Sequence, residues 1–197
     1  MPTKDLRSHF LAHRSVIDAS VVALDEPSAR AADALIRCIR SGGKVLCFGN
    51  GGSATQASHM VGELLGRFKE TRRPLPAVSL VSDPGVVTCI ANDFGYDKLF
   101  ERQVEALASP GDAVVGLTTS GRSENVLRAF EAAKKRGATT IALCGSAGLK
   151  RSDADHVLAV PSDSTAHIQE VHLMLLHVWC TAVDAAIAED DVLSRPD

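Results

Sequence analysis

The stretch KVLCFGNGGSATQASHMVGE, residues 44–63, decides how the rest of the chain is read. Residues 45–48 are an apolar, strand-like run, Gly49-Asn50-Gly51-Gly52 is a glycine turn, and Ser53 stands where a helix N-cap is expected. Glycine permits positive φ and lets a ligand approach the backbone. A helix start adds N–H groups and a partial positive charge, which suits a phosphate. His59 and Glu63 are four residues apart, so they share one face of that helix, one turn apart. An anion cradle beside a His/carboxylate pair points to an enzyme acting on a phosphorylated small molecule.

Upstream, residues 4–24 and 27–41 are apolar at helical spacing. Pro27 fits the first turn of a second helix, and Ser41-Gly42-Gly43 stops it. Two leading helices are expected, serving as a cover over the sheet or as an oligomer interface. Downstream, the helix opened at Ser53 should run to about residue 68, and strands are expected over 77–81, 113–117, 139–143 and 156–160. Between them, Asp83-Pro84 opens a helix by cap and first-turn proline. Residues 91–96 read as a polar loop, 97–107 as helix, 123–135 as helix and 152–155 as a polar turn. A long apolar helix over 166–188 leads into an acidic, frayed tail at 189–197. Strands alternating with helices predict a parallel sheet covered on both faces, with ligands at the carboxyl ends of its strands. The 197 residues read as one domain: leading helices over 1–41, an α/β core over 44–188, and the tail.

A second strand-to-helix turn, Thr118-Thr119-Ser120-Gly121-Arg122-Ser123, carries four hydroxyls where one would suffice for capping. Hydroxyl and backbone donors at a helix start suit a phosphate without a Walker lysine. The last helix places Gln169, Glu170, His172 and His177 among apolar residues. Gln169 and His177 share a broad face, offset by about 80°. Polar groups there need partners or a function. His59, Glu63, Gln169 and His177 can surround one ion or one reacting carbon, and such N/O donors suit Zn²⁺ or another divalent ion. His172 points elsewhere, as a hydrogen-bonded core or interface histidine. GNGGSA also satisfies the dinucleotide pattern, yet Asp83 reads as a cap rather than a ribose ligand, and that reading leaves the second turn unexplained.

Net charge −3 and a pI of about 6.2 give no electrostatic case for nucleic-acid binding. Five cysteines without CxxC spacing read as thiols, mostly buried, in a reducing compartment. No early run resembles a signal peptide and none is expected to reach membrane-span length, so a cytoplasmic protein is expected.

GNGGSA, the His59/Glu63 pair, ANDFGY, TTSGRS and the helix from Ile168 to His177 together resemble a SIS (sugar isomerase) domain of the phosphoheptose isomerase group. The resemblance spans about residues 40–185. It implies a flavodoxin-like three-layer α/β/α fold with a five-stranded parallel sheet, and a homotetramer with sites between subunits. It implies one Zn²⁺ per subunit at His59, Glu63, Gln169 and His177. It further implies sugar-phosphate contacts from Asn50, Gly51, Gly52, Ser53, Arg67, Asn92, Asp93, Thr118, Thr119, Ser120, Ser123 and Gln169. The expected reaction converts sedoheptulose 7-phosphate to D-glycero-D-manno-heptose 7-phosphate through an enediol(ate), the first step toward ADP- or GDP-heptose. Glu63 would be the base and His177 the acid.

Two segments depart from the family pattern. Ser164-Thr165-Ala166-His167 stands where an acid and a basic residue usually precede Ile-Gln-Glu, and Cys144-Gly145-Ser146-Ala147-Gly148-Leu149 replaces Thr-Gly-x-x-Gly-Gly. They motivate a second expectation, an isomerase of another ketose phosphate in a secondary-metabolite or capsule pathway. A third is a non-catalytic SIS protein that binds a replication initiator. That group generally lacks the equivalents of Glu63 and His177.

Overall fold

The computed structural model describes residues 3–149 and 154–193. Its centre is a parallel sheet of β1 (Val45–Gly49), β2 (Ala77–Ser79), β3 (Ala113–Thr118), β4 (Thr139–Cys144) and β5 (His156–Ala159), in the order β2-β1-β3-β4-β5. Every residue of β1 and β3 is buried, which is why those strands are near-continuous apolar runs. Their side chains alternate between two cores. Val45, Cys47, Val115, Leu117, Ile141 and Leu143 pack into one core, with α1 (Thr3–Arg40), α2 (Gly52–Leu65) and α6 (Thr165–Leu193). Leu46, Phe48, Val114 and Ala142 pack into the other, with α4 (Leu99–Leu107) and α5 (Glu124–Lys135) and the flank of α3 (Pro84–Phe94). The three-layer arrangement expected from the sequence is therefore the observed one.

The sheet order places a topological switch between β1 and β3, because the chain leaves β1 toward β2 on one side and reaches β3 on the other. The β1–α2 and β3–α5 turns both open at that point. The glycine turn and the hydroxyl turn are brought together by topology, although about seventy residues separate them in sequence.

Several local expectations are corrected. The two leading helices are one, α1, with Pro27 inside it. Proline removes one intrahelical hydrogen bond. Here the packing of Leu24, Ala31 and Leu35 on either side keeps the axis continuous, and Trp179 Nε1 donates to both the Ser28 carbonyl (3.1 Å) and its hydroxyl (3.0 Å). Ser53 is not the cap of α2. The helix starts at Gly52, with Gly51 in the N-cap position at φ 57°, and no side chain caps it. The helix stops at Leu65 instead of near 68. Asp83 does cap α3, accepting from Gly85 and Val86 N–H. That helix continues to Phe94, so Asn92 and Asp93 are helical and not in a loop; a single 3-10 turn, Tyr96–Lys98, follows.

Helix α6 outruns its expected end and absorbs part of the tail; residues 194–197, and 152–153 of the expected polar turn, lie outside the described residues. Contrary to the expectation, Thr165–Asp190 has the length and mean hydropathy (1.6) of a membrane span. Half of that window is packed inside the fold, as in the core helix of an α/β domain.

Candidate active site

The two turns are braced by side chains. Asn50 and Asn125 exchange amide hydrogen bonds at 2.9 Å in both directions, and Tyr96 Oη donates to Asn50 Oδ1 at 2.8 Å. Asn125 is buried in the first turn of α5. Ser53 is buried beneath the glycine turn. Gly52 meets the start of α6: a Cβ at that position would lie 2.7 Å from Gln169 Nε2. The Gln169 carbonyl accepts from Gln56 Nε2 at 2.7 Å, so the starts of α2 and α6 are joined by both backbone and side chain.

One turn further along α2, His59 Nε2 lies 3.0 Å from His177 Nε2 and 3.2 Å from Glu63 Oε1. One ligand-capable atom from each of the three lies within 4.8 Å of the others. Phe68 stacks on the His177 ring, with centroids 5.3 Å apart and planes at 19°, and orients it. Glu63 and His177 are half-buried and His59 is exposed, so the group is open to a ligand.

The backbone of Glu63 is fixed from behind. Arg72 Nη2 donates to the Glu63 carbonyl at 2.8 Å and Nη1 to the Leu64 carbonyl at 2.9 Å. Its Nε pairs with Asp184 Oδ1 at 2.8 Å, both side chains being almost wholly buried. Burial alone would raise the Asp184 carboxyl's pKa. Hydrogen bonds from Lys69 N–H, Arg72 and Glu70 N–H outweigh it and hold the group below the usual carboxylate value.

In the hydroxyl turn, Thr118 Oγ1 and Ser123 Oγ are 3.0 Å apart, and neither Ser123 nor any other side chain caps α5. Ser120 Oγ accepts from Arg122 N–H at 3.2 Å. Thr119, Ser120 and Arg122 line a cavity of about 300 Å³ together with Ser146, Ser162 and Asp163. Ser146 donates to Asp163 across it.

Other expected residues are placed less centrally. Arg67 is exposed beyond α2 and donates to Thr71 at 3.3 Å. Asn92 and Asp93 pair with each other at 2.7 Å on the exposed end of α3. His172 is a core histidine: its Nε2 lies 3.3 Å from the Cys144 carbonyl, and burial lowers its pKa to about 4. All five cysteines are free; Cys89 is exposed, unlike the rest. Burial pushes the Cys38 and Cys144 thiols up to about 11.

Residues 9–145 match the SIS domain family. The phosphoheptose isomerase of Bordetella avium is 43% identical over 192 residues, covering 95% of this chain and 98% of that protein. The chain belongs to the phosphoheptose isomerase family. The Aquifex aeolicus member is 51% identical over 152 residues, 77% of this chain and 80% of its own. The solved structure of the Francisella tularensis member superposes with a TM-score of 0.89 at 37% identity, covering 92% of this chain and 97% of that one. As a family member the chain is an aldose-ketose isomerase. The two segments that depart from the family pattern both reach the cavity of the hydroxyl turn: Ser146 and Ala147 of one and Thr165 of the other line it.

Asn125, Tyr96, Arg122, Phe68 and the Arg72–Asp184 pair were not singled out from the sequence. An asparagine two residues after a hydroxyl turn was a readable signal for Asn125. Arg122 lies inside the quoted hydroxyl turn, while Tyr96, Phe68 and the Arg72–Asp184 pair act through contacts between remote segments.

Proposed function

We propose that the protein interconverts sedoheptulose 7-phosphate and D-glycero-D-manno-heptose 7-phosphate, with Glu63 and His177 as the proton-transferring pair. The observation that carries this is the meeting of His177 on α6 with His59 and Glu63 on α2, beside the β1/β3 switch point. Glu63 removes a proton from C1 of the ketose. His177 donates a proton to the C2 oxygen, giving the enediol. Return of a proton to C2, with loss of the O1 proton, completes the aldose. The phosphate end binds at the hydroxyl turn, where Thr118, Thr119, Ser120 and Ser123 supply donors. The glycine turn with Asn50 and Ser53 receives the sugar, so the reacting carbons are held against Glu63.

Two imidazole nitrogens and a carboxylate oxygen so close together fit a divalent ion, and Gln169 is the fourth ligand implied by the family. When bound, Zn²⁺ would polarise the carbonyl oxygen. The free cysteines support a reducing, cytoplasmic setting. Exposed apolar side chains on α1, Phe10 (70%) and Val22 (86%) among them, support a homotetramer. Sedimentation analysis checks that assembly.

The test is a panel of ketose phosphates of five to eight carbons, with products identified by NMR. Heptose 7-phosphate formation by the wild-type protein, and none by Glu63→Gln, supports the reading. Equal turnover by the two proteins sinks the base assignment. A second reading, another ketose phosphate as substrate, is favoured by the Ser146–Asp163 contact in the phosphate-end cavity. The same panel separates the two readings.

A further inference from the structure

A second group of imidazoles and a carboxylate gathers where the first half of α1 crosses the start of α6. Helix α1 contributes His9 and His13, one turn apart; α6 contributes His167 and Glu170, three residues apart. His9 Nε2 lies 3.0 Å from Glu170 Oε1, His13 Nδ1 lies 2.9 Å from Glu170 Oε2, and His167 Nε2 lies 3.3 Å from His9 Nδ1. The His167 ring is buried between the other two, with centroids 4.6 Å from His9 and 5.5 Å from His13. None of these residues belongs to the His59–Glu63–His177 group.

We propose that His9, His13, His167 and Glu170 form a divalent-cation site, for which Zn²⁺ is the fitting ion, and that the bound ion clips α1 to α6. Three observations carry the assignment. First, imidazole nitrogen with carboxylate oxygen is the donor set that zinc takes, and a tetrahedral ion with bonds of about 2.0–2.1 Å has ligand–ligand edges of about 3.3 Å. The four side chains approach one another at 2.9–3.3 Å; these contacts use both nitrogens of His9 and both oxygens of Glu170, so binding one ion selects one donor atom from each. One ligand atom each from His9, His167 and Glu170 falls within 4.8 Å of the others.

Second, the spacing is that of metal sites between facing helices, where an i,i+3 pair on one helix meets inward-pointing ligands on another. Third, hydrogen bonding alone leaves a residue unexplained. A chain from His167 to His9 to Glu170 satisfies those three groups. His13 Nδ1 is buried and, although close to Glu170, lacks the alignment of a hydrogen bond. A buried ring nitrogen that meets a carboxylate without an aligned hydrogen bond is better satisfied by an ion that both groups share.

The experiment counts metal on the full chain. Wild-type protein and the His9→Ala/His13→Ala variant are stripped with chelator, equilibrated with Zn²⁺ and desalted, and zinc is measured by mass spectrometry. The wild type should hold about one more zinc per chain than the variant, by the ligand count. This difference holds whatever the His59–Glu63–His177 group retains, so it is read independently of the proposed reaction. His9 is exposed and His13 half-buried, and circular dichroism checks that the variant is folded. As a second readout, Co²⁺ in a His59→Ala/His177→Ala background should give the visible absorption of a nitrogen-rich four-coordinate site. Adding Glu170→Gln should abolish that absorption. Equal zinc content in wild type and variant, or an unchanged cobalt spectrum after Glu170→Gln, overturns the proposal.

Discussion

Helix α6 carries two imidazole–carboxylate groups, and they are held in different ways. The inner one, with His177, is fixed from the backbone side: Arg72 grips the carbonyls of Glu63 and Leu64 while paired to Asp184 of α6 itself. The outer one, with His167 and Glu170, is held through contacts among its own side chains. The inner group is therefore preorganised by the fold, as proton transfer requires. The outer group's order depends on what its side chains bind.

The contrast is sharpest at Glu63. Glu63→Gln should lower kcat by about 10²–10⁴-fold, the usual worth of a positioned base, with the thermal midpoint little changed. Steady-state kinetics beside calorimetry would check both halves. Asp184→Ala attacks the scaffold without removing a reacting group. It strands the Arg72 guanidinium in the interior and should cost about 3–5 kcal/mol in denaturant unfolding.

The same pair sets an acid limit. Because the Asp184 carboxyl is held below its unfolded value, its contribution is full above the unfolded pKa of about 3.9. It is lost as pH falls through the lower folded value. Unfolding midpoints followed from pH 6 to pH 2 should show that loss in the wild type and its absence in Asp184→Ala.

A smaller effect is expected at the mouth. The Cβ of Gly52→Ala would meet the mobile amide of Gln169 at 2.7 Å, so stability should hardly move. Displacement of Gln169 should reduce kcat/KM by about 10–100-fold. The smallest effect belongs to the outer group: His9→Ala should leave isomerase turnover within about twofold of the wild type, since surface changes away from the chemistry have little effect. A large loss there would mean that the two ends of α6 are coupled.

The legible parts of the sequence were those governed by local rules. Apolar runs bounded by glycine and proline marked all five strands, and the Asp83-Pro84 cap was readable because its chemistry lies within three residues. His59, Glu63 and His177 were found together because helical periodicity predicts which faces they occupy, and the family resemblance brought the two helices to one place. Pro27 misled because its local preference for a helix start is weaker than the packing of α1 on α6. Ser53 misled because positive φ at Gly51 lets the helix begin without a side-chain cap. Phe68 over His177, Arg72 with Asp184, and the His9–Glu170 contact join residues 109 or more positions apart, which no periodicity within one segment reveals.

The chain's single tryptophan is Trp179, buried on α6 with its indole N–H bonded to Ser28 of α1. The protein thus contains its own optical gauge of whether the first helix is docked. Detachment of that helix would wet the indole and shift its emission to longer wavelength, so the docking of α1 on α6 can be followed by intrinsic fluorescence without adding any label.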